Sequence, residues 1–228
     1  SPEELLYHIH QQQDQSTHGK LKIFFGYAAG VGKTYTMLEA AHQAQKEGRD
    51  VVVGYVERHV RPETLALLDG LEQMPCKEVP YKGVMLKEFD LDEALARKPQ
   101  LILVDELAHT NAQGLRHTKR YSDVEELLDA GIDVYTTVNV QHIESLNDIV
   151  ASITQVVVKE RVPDSIFEEA AQIELIDLEP AELLTRLSTG KIYKETQARQ
   201  ALSNFFNIEN LTALREISLR FTADKVNQ

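Results

Sequence analysis

The sequence predicts an α/β fold of P-loop type: a mostly parallel sheet with helices on both faces and a helical C-terminal extension. Three observations carry this. First, the apolar run Leu21 to Phe25 leads into Phe25-Gly26-Tyr27-Ala28-Ala29-Gly30-Val31-Gly32-Lys33-Thr34, then into a helical pattern carrying Met37, Leu38, Ala40, Ala41 and Ala44. Strand, glycine loop, Lys-Thr and helix in that order form a phosphate-cradling loop. Second, the apolar run Leu101 to Val104 ends in Asp105-Glu106. This places acids at the C-terminal edge of a strand, where open α/β sheets bind ligands. Third, strand-like and helix-like stretches alternate along most of the chain.

Taken in order, residues 3 to 13 read as a short polar helix with Leu5, Leu6 and Ile9 on one face, and 11 to 19 as a polar, mobile segment. After the strand at Leu21 to Phe25, the helix following the glycine loop runs to about Glu47, and Gly48 supplies its stop. Val51 to Val56 is a continuous apolar run suited to a strand buried on both faces. Pro62 suits the first turn of a helix reaching Gln73, and Lys77 to Tyr81 is a weak strand. Asp90 with Glu93 makes a capping box for a helix that ends before Pro99. Ser122 with Glu125 reads as a second box, for a helix ended by Gly131. Ile132 to Val138 is the next strand, and a helix follows over 142 to 150. Thr154 to Val158 and Ile173 to Leu178 read as further strands, and helices are expected over 181–188, 194–206 and 209–225. No internal repeat or low-complexity tract is visible. The expected organisation is an N-terminal helix and mobile segment over 1–19, a nucleotide-binding domain over 20–178, and a helical extension over 179–228.

Composition narrows the function. The 228 residues carry 24 basic and 36 acidic side chains, a net charge of -12. That argues against broad nucleic-acid binding, which needs a basic face, and against a polybasic membrane patch. The single cysteine, Cys76, excludes an internal disulfide and a cysteine zinc cluster, and it fits a reducing compartment. No apolar run approaches the roughly 20 residues that span a bilayer, so the chain is expected to be soluble. It starts at Ser1 without a methionine, as a piece of a longer protein would.

The glycine loop supplies the candidate nucleotide-binding residues Gly26, Ala29, Gly30, Val31, Gly32, Lys33, Thr34 and Tyr35. Glycines let the backbone turn tightly so that several N–H groups face one anion, and the helix N-terminus adds its positive dipole end. Lys33 is expected to reach the outer phosphates of ATP. Thr34 and Asp105 are expected to serve Mg²⁺, Asp105 through water. One departure stands out: the usual first glycine position is Tyr27, and the glycine sits one step earlier, at Gly26. Glu106 is placed to polarise an attacking water, as the candidate catalytic residue; an acidic turn is the other reading. Residues 107–120 form a polar, His- and basic-rich connection in an acidic chain, in which His109 and Arg116 are candidates to sense phosphate, with a solvated loop as the other reading. Asn139 and Gln141, at the tip of the following strand, are further sensor candidates, with turn chemistry as the alternative. His109 and His117 match no recognised metal pattern.

Longer motifs go beyond a generic nucleotide fold. Phe25 to Thr34 is followed in order by Asp105-Glu106-Leu107-Ala108-His109-Thr110-Asn111, Arg116-His117-Thr118-Lys119-Arg120 and Thr136-Thr137-Val138-Asn139-Val140-Gln141-His142. Glu144-Ser145-Leu146-Asn147-Asp148 and Asn210-Leu211-Thr212-Ala213-Leu214-Arg215-Glu216 complete the set. Over about residues 18–226 the chain closely resembles the N-terminal cytoplasmic domain of the KdpD sensor histidine kinases of bacterial potassium homeostasis. Gln113 stands where that family usually has proline, while the Gly26-Tyr27 arrangement matches it. The resemblance implies a multi-pass inner-membrane parent, a dimer, with this domain on the cytoplasmic side. It implies ATP and Mg²⁺ as ligands, and other domains of the kinase and a response regulator as partners. It also implies a two-component phosphorelay controlling potassium uptake, whose phosphoacceptor histidine and kinase core lie outside residues 1–228. Three functions stand open: a regulatory ATP-binding module, a working Mg²⁺-dependent ATPase, and a scaffold with a vestigial loop.

Overall fold

The computed structural model describes residues 1–189 and 205–226. Six parallel strands form one sheet in the order β3-β2-β6-β7-β1-β8. These are β1 (Leu21–Gly26), β2 (Val51–Tyr55), β3 (Glu72–Gln73), β6 (Leu101–Val104), β7 (Asp133–Asn139) and β8 (Gln172–Leu175). Helices α1 (Pro2–Thr17), α2 (Lys33–Lys46), α3 (Pro62–Ala66), α4 (Leu91–Arg97) and α5 (Arg120–Asp129) precede or link them. Helices α6 (Asn147–Thr154), α7 (Asp164–Glu169), α8 (Pro180–Thr189) and α9 (Ile208–Val226) complete the described chain.

The continuous apolar strands follow from burial on both faces. Successive side chains of a strand point to opposite sides, and each side here meets its own helices. Phe24, Val51, Val53, Leu101 and Leu103 pack against Met37, Leu38, Ala41 and Ala44 of α2 and against Leu68 and Leu71 beyond α3. Ile23, Phe25, Ile102, Val104, Val134 and Val138 face a larger cluster built from α4 to α9. The described part of the C-terminal extension belongs to that cluster: Leu183 of α8 and Leu211 and Leu214 of α9 are fully buried. Phe221 of α9 packs on Phe25 and Phe167 with ring centroids 5.5 Å and 5.4 Å away.

Several local signals act as expected. Gly48 (φ 89°) and Gly131 (φ 84°) take the left-handed conformation just past α2 and α5. Asp90 caps α4, its side chain accepting from the Glu93 N–H at 3.2 Å. Elsewhere the expectations need correction. Helix α1 continues to Thr17 through the polar segment. Helix α3 stops at Ala66, and Glu72–Gln73 instead joins the sheet edge beside β2. Lys77–Tyr81 (β4) is a strand, but it lies outside the main sheet, paired antiparallel with the unanticipated β5 (Val84–Glu88). Lys82 and Gly83 turn that hairpin with φ of 46° and 79°, as a tight two-residue connection requires. The N-cap of α5 is Lys119, without a side-chain cap, so Ser122 lies inside the first turn. Residues 140–146 form two short 3₁₀ turns, and α6 runs on to Thr154. The strand expected at 154–158 does not form. Helix α6 runs to Thr154 and Val156 to Val158 stay outside the sheet; the side of β1 away from β7 is taken by parallel β8 instead. The helix expected over 194–206 lies almost wholly outside the described residues.

Candidate functional site

The site grows from the C-terminal tips of β1, β7 and β6, which are neighbours with β7 in the middle. The turn after β1 is built by glycines for two different reasons. Gly30 (φ 92°) and Gly32 (φ 109°) adopt conformations that L side chains rarely take. Gly26 is needed for space: a Cβ there would lie 2.7 Å from Val31 Cγ2 and 3.2 Å from Lys33 Cδ. The displaced glycine is thus the position over which the lysine stem folds. Tyr27, at the usual glycine position, is fully buried, and its hydroxyl donates to the Leu178 carbonyl at 2.6 Å. Burial, with Asp177 nearby, pushes that phenol up to about 12.

Lys33 opens α2 and is 9% exposed. Its Nζ donates to the Ala28 carbonyl at 3.1 Å, within the loop itself. Burial lowers its pKa to about 8, against the attraction of Asp105 and Glu106. Thr34 Oγ1 donates to Asp105 Oδ2 at 3.2 Å. Asp105 is 1% exposed and also accepts from the Glu57 N–H at 3.0 Å and from the Thr137 hydroxyl. The carboxylate is therefore locked from three elements, and it faces the glycine loop.

Glu106 follows with φ 62°, its N–H donating to Thr137 Oγ1 at 3.0 Å. Its carboxyl is pushed up to about 7, first by burial and then by the Asp105 and Glu57 carboxylates. Behind both acids stands Arg120, fully buried. It donates to the Asp105 carbonyl at 2.9 Å, stacks over the Tyr55 ring at 4.1 Å, and lies 3.5 Å from Glu88 and 4.0 Å from Glu106. Glu88, at the end of β5, also meets His109 Nε2 at 3.0 Å.

Lys33, Thr34, Glu57, Asp105, Glu106 and Thr137 line one cleft of about 1270 Å³, and Arg120 and Glu88 stand outside it. Ala29, Gly30, Val31, Gly32, Lys33, Thr34 and Tyr35 all border it, with Asp105, Glu106, His109 and Asn139, while Gly26 lies beneath. The Asn139 Oδ1 is buried without a hydrogen-bond partner among the described residues. Two of the sequence candidates stand apart: Gln141 does not border the cleft, and Arg116 pairs on the surface with Asp92 and Glu126. Sequence reasoning missed Glu57, Thr137, Arg120 and His142. Thr136-Thr137, a polar pair inside an apolar strand, was the available signal for one of them; Arg120 looked like the end of a solvated basic loop.

Comparison with known proteins is consistent along the chain. The family model described as KdpD, osmosensitive K+ channel His kinase sensor domain, matches residues 17–226. A sensor protein KdpD of Clostridium acetobutylicum is 61% identical over 226 residues, which is 99% of this chain and 25% of that protein. The sensor protein KdpD of Escherichia coli is 55% identical over 218 residues, 95% of this chain and 24% of that protein. A putative sensor protein KdpD of Synechocystis is 53% identical over 210 residues, covering 92% of this chain and 57% of that protein. The chain thus spans about a quarter of the length of the first two relatives. Among the described residues no helix is long and apolar enough to cross a membrane. With nearly its whole length matched by that model and by relatives of more than half identity, the chain belongs to the KdpD sensor-domain family.

Proposed function

We propose that this chain is the regulatory ATP-binding domain of a membrane-bound two-component sensor histidine kinase controlling potassium uptake. The observation that carries the reading is the Thr34 hydroxyl and Asp105 carboxylate held 3.2 Å apart beside buried Lys33 at the mouth of the glycine loop. Hydroxyl and carboxylate oxygens suit Mg²⁺, which prefers hard oxygen ligands. Bound Mg²⁺ would offset phosphate charge. The chain's own residues would do the rest. Loop N–H groups face the anion, Lys33 exchanges the Ala28 carbonyl for a phosphate oxygen, and Arg120 with Thr137 keeps Asp105 in place. Asn139 brings to the same cleft a buried oxygen that has no partner among the described residues.

Occupancy has a path outward. A Cβ at Gly30 would lie 3.2 Å from Leu183 of α8, so that helix rests on the loop. Tyr27 holds Leu178, and Arg215 of α9 pairs with neighbouring Asp177 at 2.7 Å. Ordering of the loop would therefore bias α8 and α9, and through them the other domains of the kinase and its response regulator. On this reading the domain lies on the cytoplasmic side of the inner membrane in a dimeric parent.

A second reading, a Mg²⁺-dependent ATPase, has one specific observation in its favour: Glu106 borders the cleft with a carboxyl poised near neutral pH. Calorimetric titration of ATP, ADP and GTP with Mg²⁺, beside Lys33→Ala, tests the first reading. Binding lost in Lys33→Ala supports it, and no affinity in the parent chain refutes it. Steady-state phosphate release that disappears in Glu106→Gln would favour the second.

A further inference from the structure

Arg61 lies in the loop between β2 and α3, just before Pro62, and borders the same cleft. Its Nη2 is buried, yet it has no hydrogen-bond partner among the described residues. Among the described residues Nε and Nη2 of Arg120 are likewise buried without a hydrogen bond, but Arg120 lies 3.5 Å from Glu88, and it is in charge partners that Arg61 differs from most of the other described arginines. Arg49, Arg97, Arg116, Arg120, Arg186, Arg215 and Arg220 each have a carboxylate within ion-pair distance. Arg58 and Arg161 hydrogen-bond to Gln73 and to the Val158 carbonyl. In a chain of net charge -12, a guanidinium free of every described acid marks a place where an acceptor is still to come. Glu57 and Glu63 border the cleft too, and neither comes within ion-pair distance of it.

Its place in the sheet says which acceptor. The tip of β2 is separated from the glycine loop of β1 by β6 and β7. The β2 loop is anchored at the acid, Glu57 N–H donating to Asp105 Oδ2 at 3.0 Å. A polyphosphate seated in the glycine loop and running past Thr34 and Asp105 comes to the Arg61 wall last. Guanidinium is the side chain best matched to phosphate oxygens. We infer that Arg61 pairs with the terminal phosphate of a nucleoside triphosphate and is the residue that separates triphosphate from diphosphate in this cleft. The inference rests on the nucleotide reading above.

The test is calorimetric titration of the 228-residue chain with Mg²⁺ and either ADP or a non-hydrolysable ATP analogue. The parent chain is expected to prefer the triphosphate. In Arg61→Ala the triphosphate affinity falls by about 10- to 100-fold, the loss of a charge-assisted hydrogen bond, while ADP changes by less than about threefold. Arg61→Lys recovers part of the preference, since charge returns without the planar fork. Arg61→Gln keeps the stem packing and serves if Arg61→Ala melts early. An unchanged preference in the variants, or an equal loss for both nucleotides, overturns the role of Arg61 alone. A parent chain that binds both equally does the same. A parent chain that binds neither overturns the nucleotide reading and this inference with it.

Discussion

Replacing Arg120 with alanine tests the physical account of the acidic strand tip. Arg120 is fully buried, and so, at 4% exposure, is Glu88, whose carboxylate lies 3.5 Å away. At an effective dielectric of about 20, that separation is worth about 5 kcal/mol of attraction. Desolvation of both groups offsets much of it, so the intact pair adds little net stability. Truncating one partner is different. Among the described residues Glu88 keeps only His109, the Asp105 carbonyl loses its donor, and the Tyr55 face loses its cation. Arg120→Ala should therefore lose about 3–5 kcal/mol, the range for an orphaned buried charge. For a chain of this size that lowers the melting temperature by about 6–20 °C. Urea denaturation measures the loss directly. Adding Glu88→Gln to Arg120→Ala should recover a substantial part of it, and the double-mutant cycle isolates the coupling. A loss below about 1 kcal/mol, or additive single effects, would refute the argument that these two charges depend on each other.

Two further outcomes follow from the same site. Glu106 has a folded-state pKa of about 7 against an ordinary 4.5, so the folded chain holds that proton longer than the unfolded one. Stability should fall as pH rises through this window, and Glu106→Gln should show a flatter profile; equal urea midpoints for both proteins, relative to their values at about pH 5, when measured at about pH 7.5 would contradict the assignment. Gly26→Ala places a methyl 2.7 Å from Val31 Cγ2 and against the Lys33 stem, which should cost about 1–3 kcal/mol in urea denaturation; an unchanged midpoint would show that the loop accommodates a Cβ freely.

How far the sequence could be read depended on the range of the interactions involved. Strand β1, the glycine loop, α2 and β6 were legible because strong local signals coincided: apolar runs of strand length, Gly-Val-Gly-Lys-Thr, and an acid at the strand end. The β4–β5 hairpin was only half visible, since Val84 and Met85 are exposed and give no alternating pattern. Val156 to Val158 has strand propensity, yet the strand beside β1 is Gln172–Leu175, because pairing and packing rather than propensity decide which segment joins a sheet. Asn139, His109 and Glu106 border the cleft, whereas Gln141 and Arg116 do not. One residue's difference along a 3₁₀ turn, or a pair of surface ion pairs, separates those outcomes, and neither is encoded locally.

By itself the chain determined the parts of the candidate site: a glycine-rich loop on a strand, a helix opening with Lys-Thr, and an acid on a second strand. Those are local, because backbone geometry and side-chain chemistry within ten residues suffice. Folding alone decided which distant groups complete it. Parallel strands far apart in sequence brought Asp105 to Thr34, buried Arg120 behind it, laid α8 on Gly30, and left Arg61 Nη2 without a partner among the described residues. The reason is that register and burial depend on the whole sheet, and no spacing within one segment specifies them.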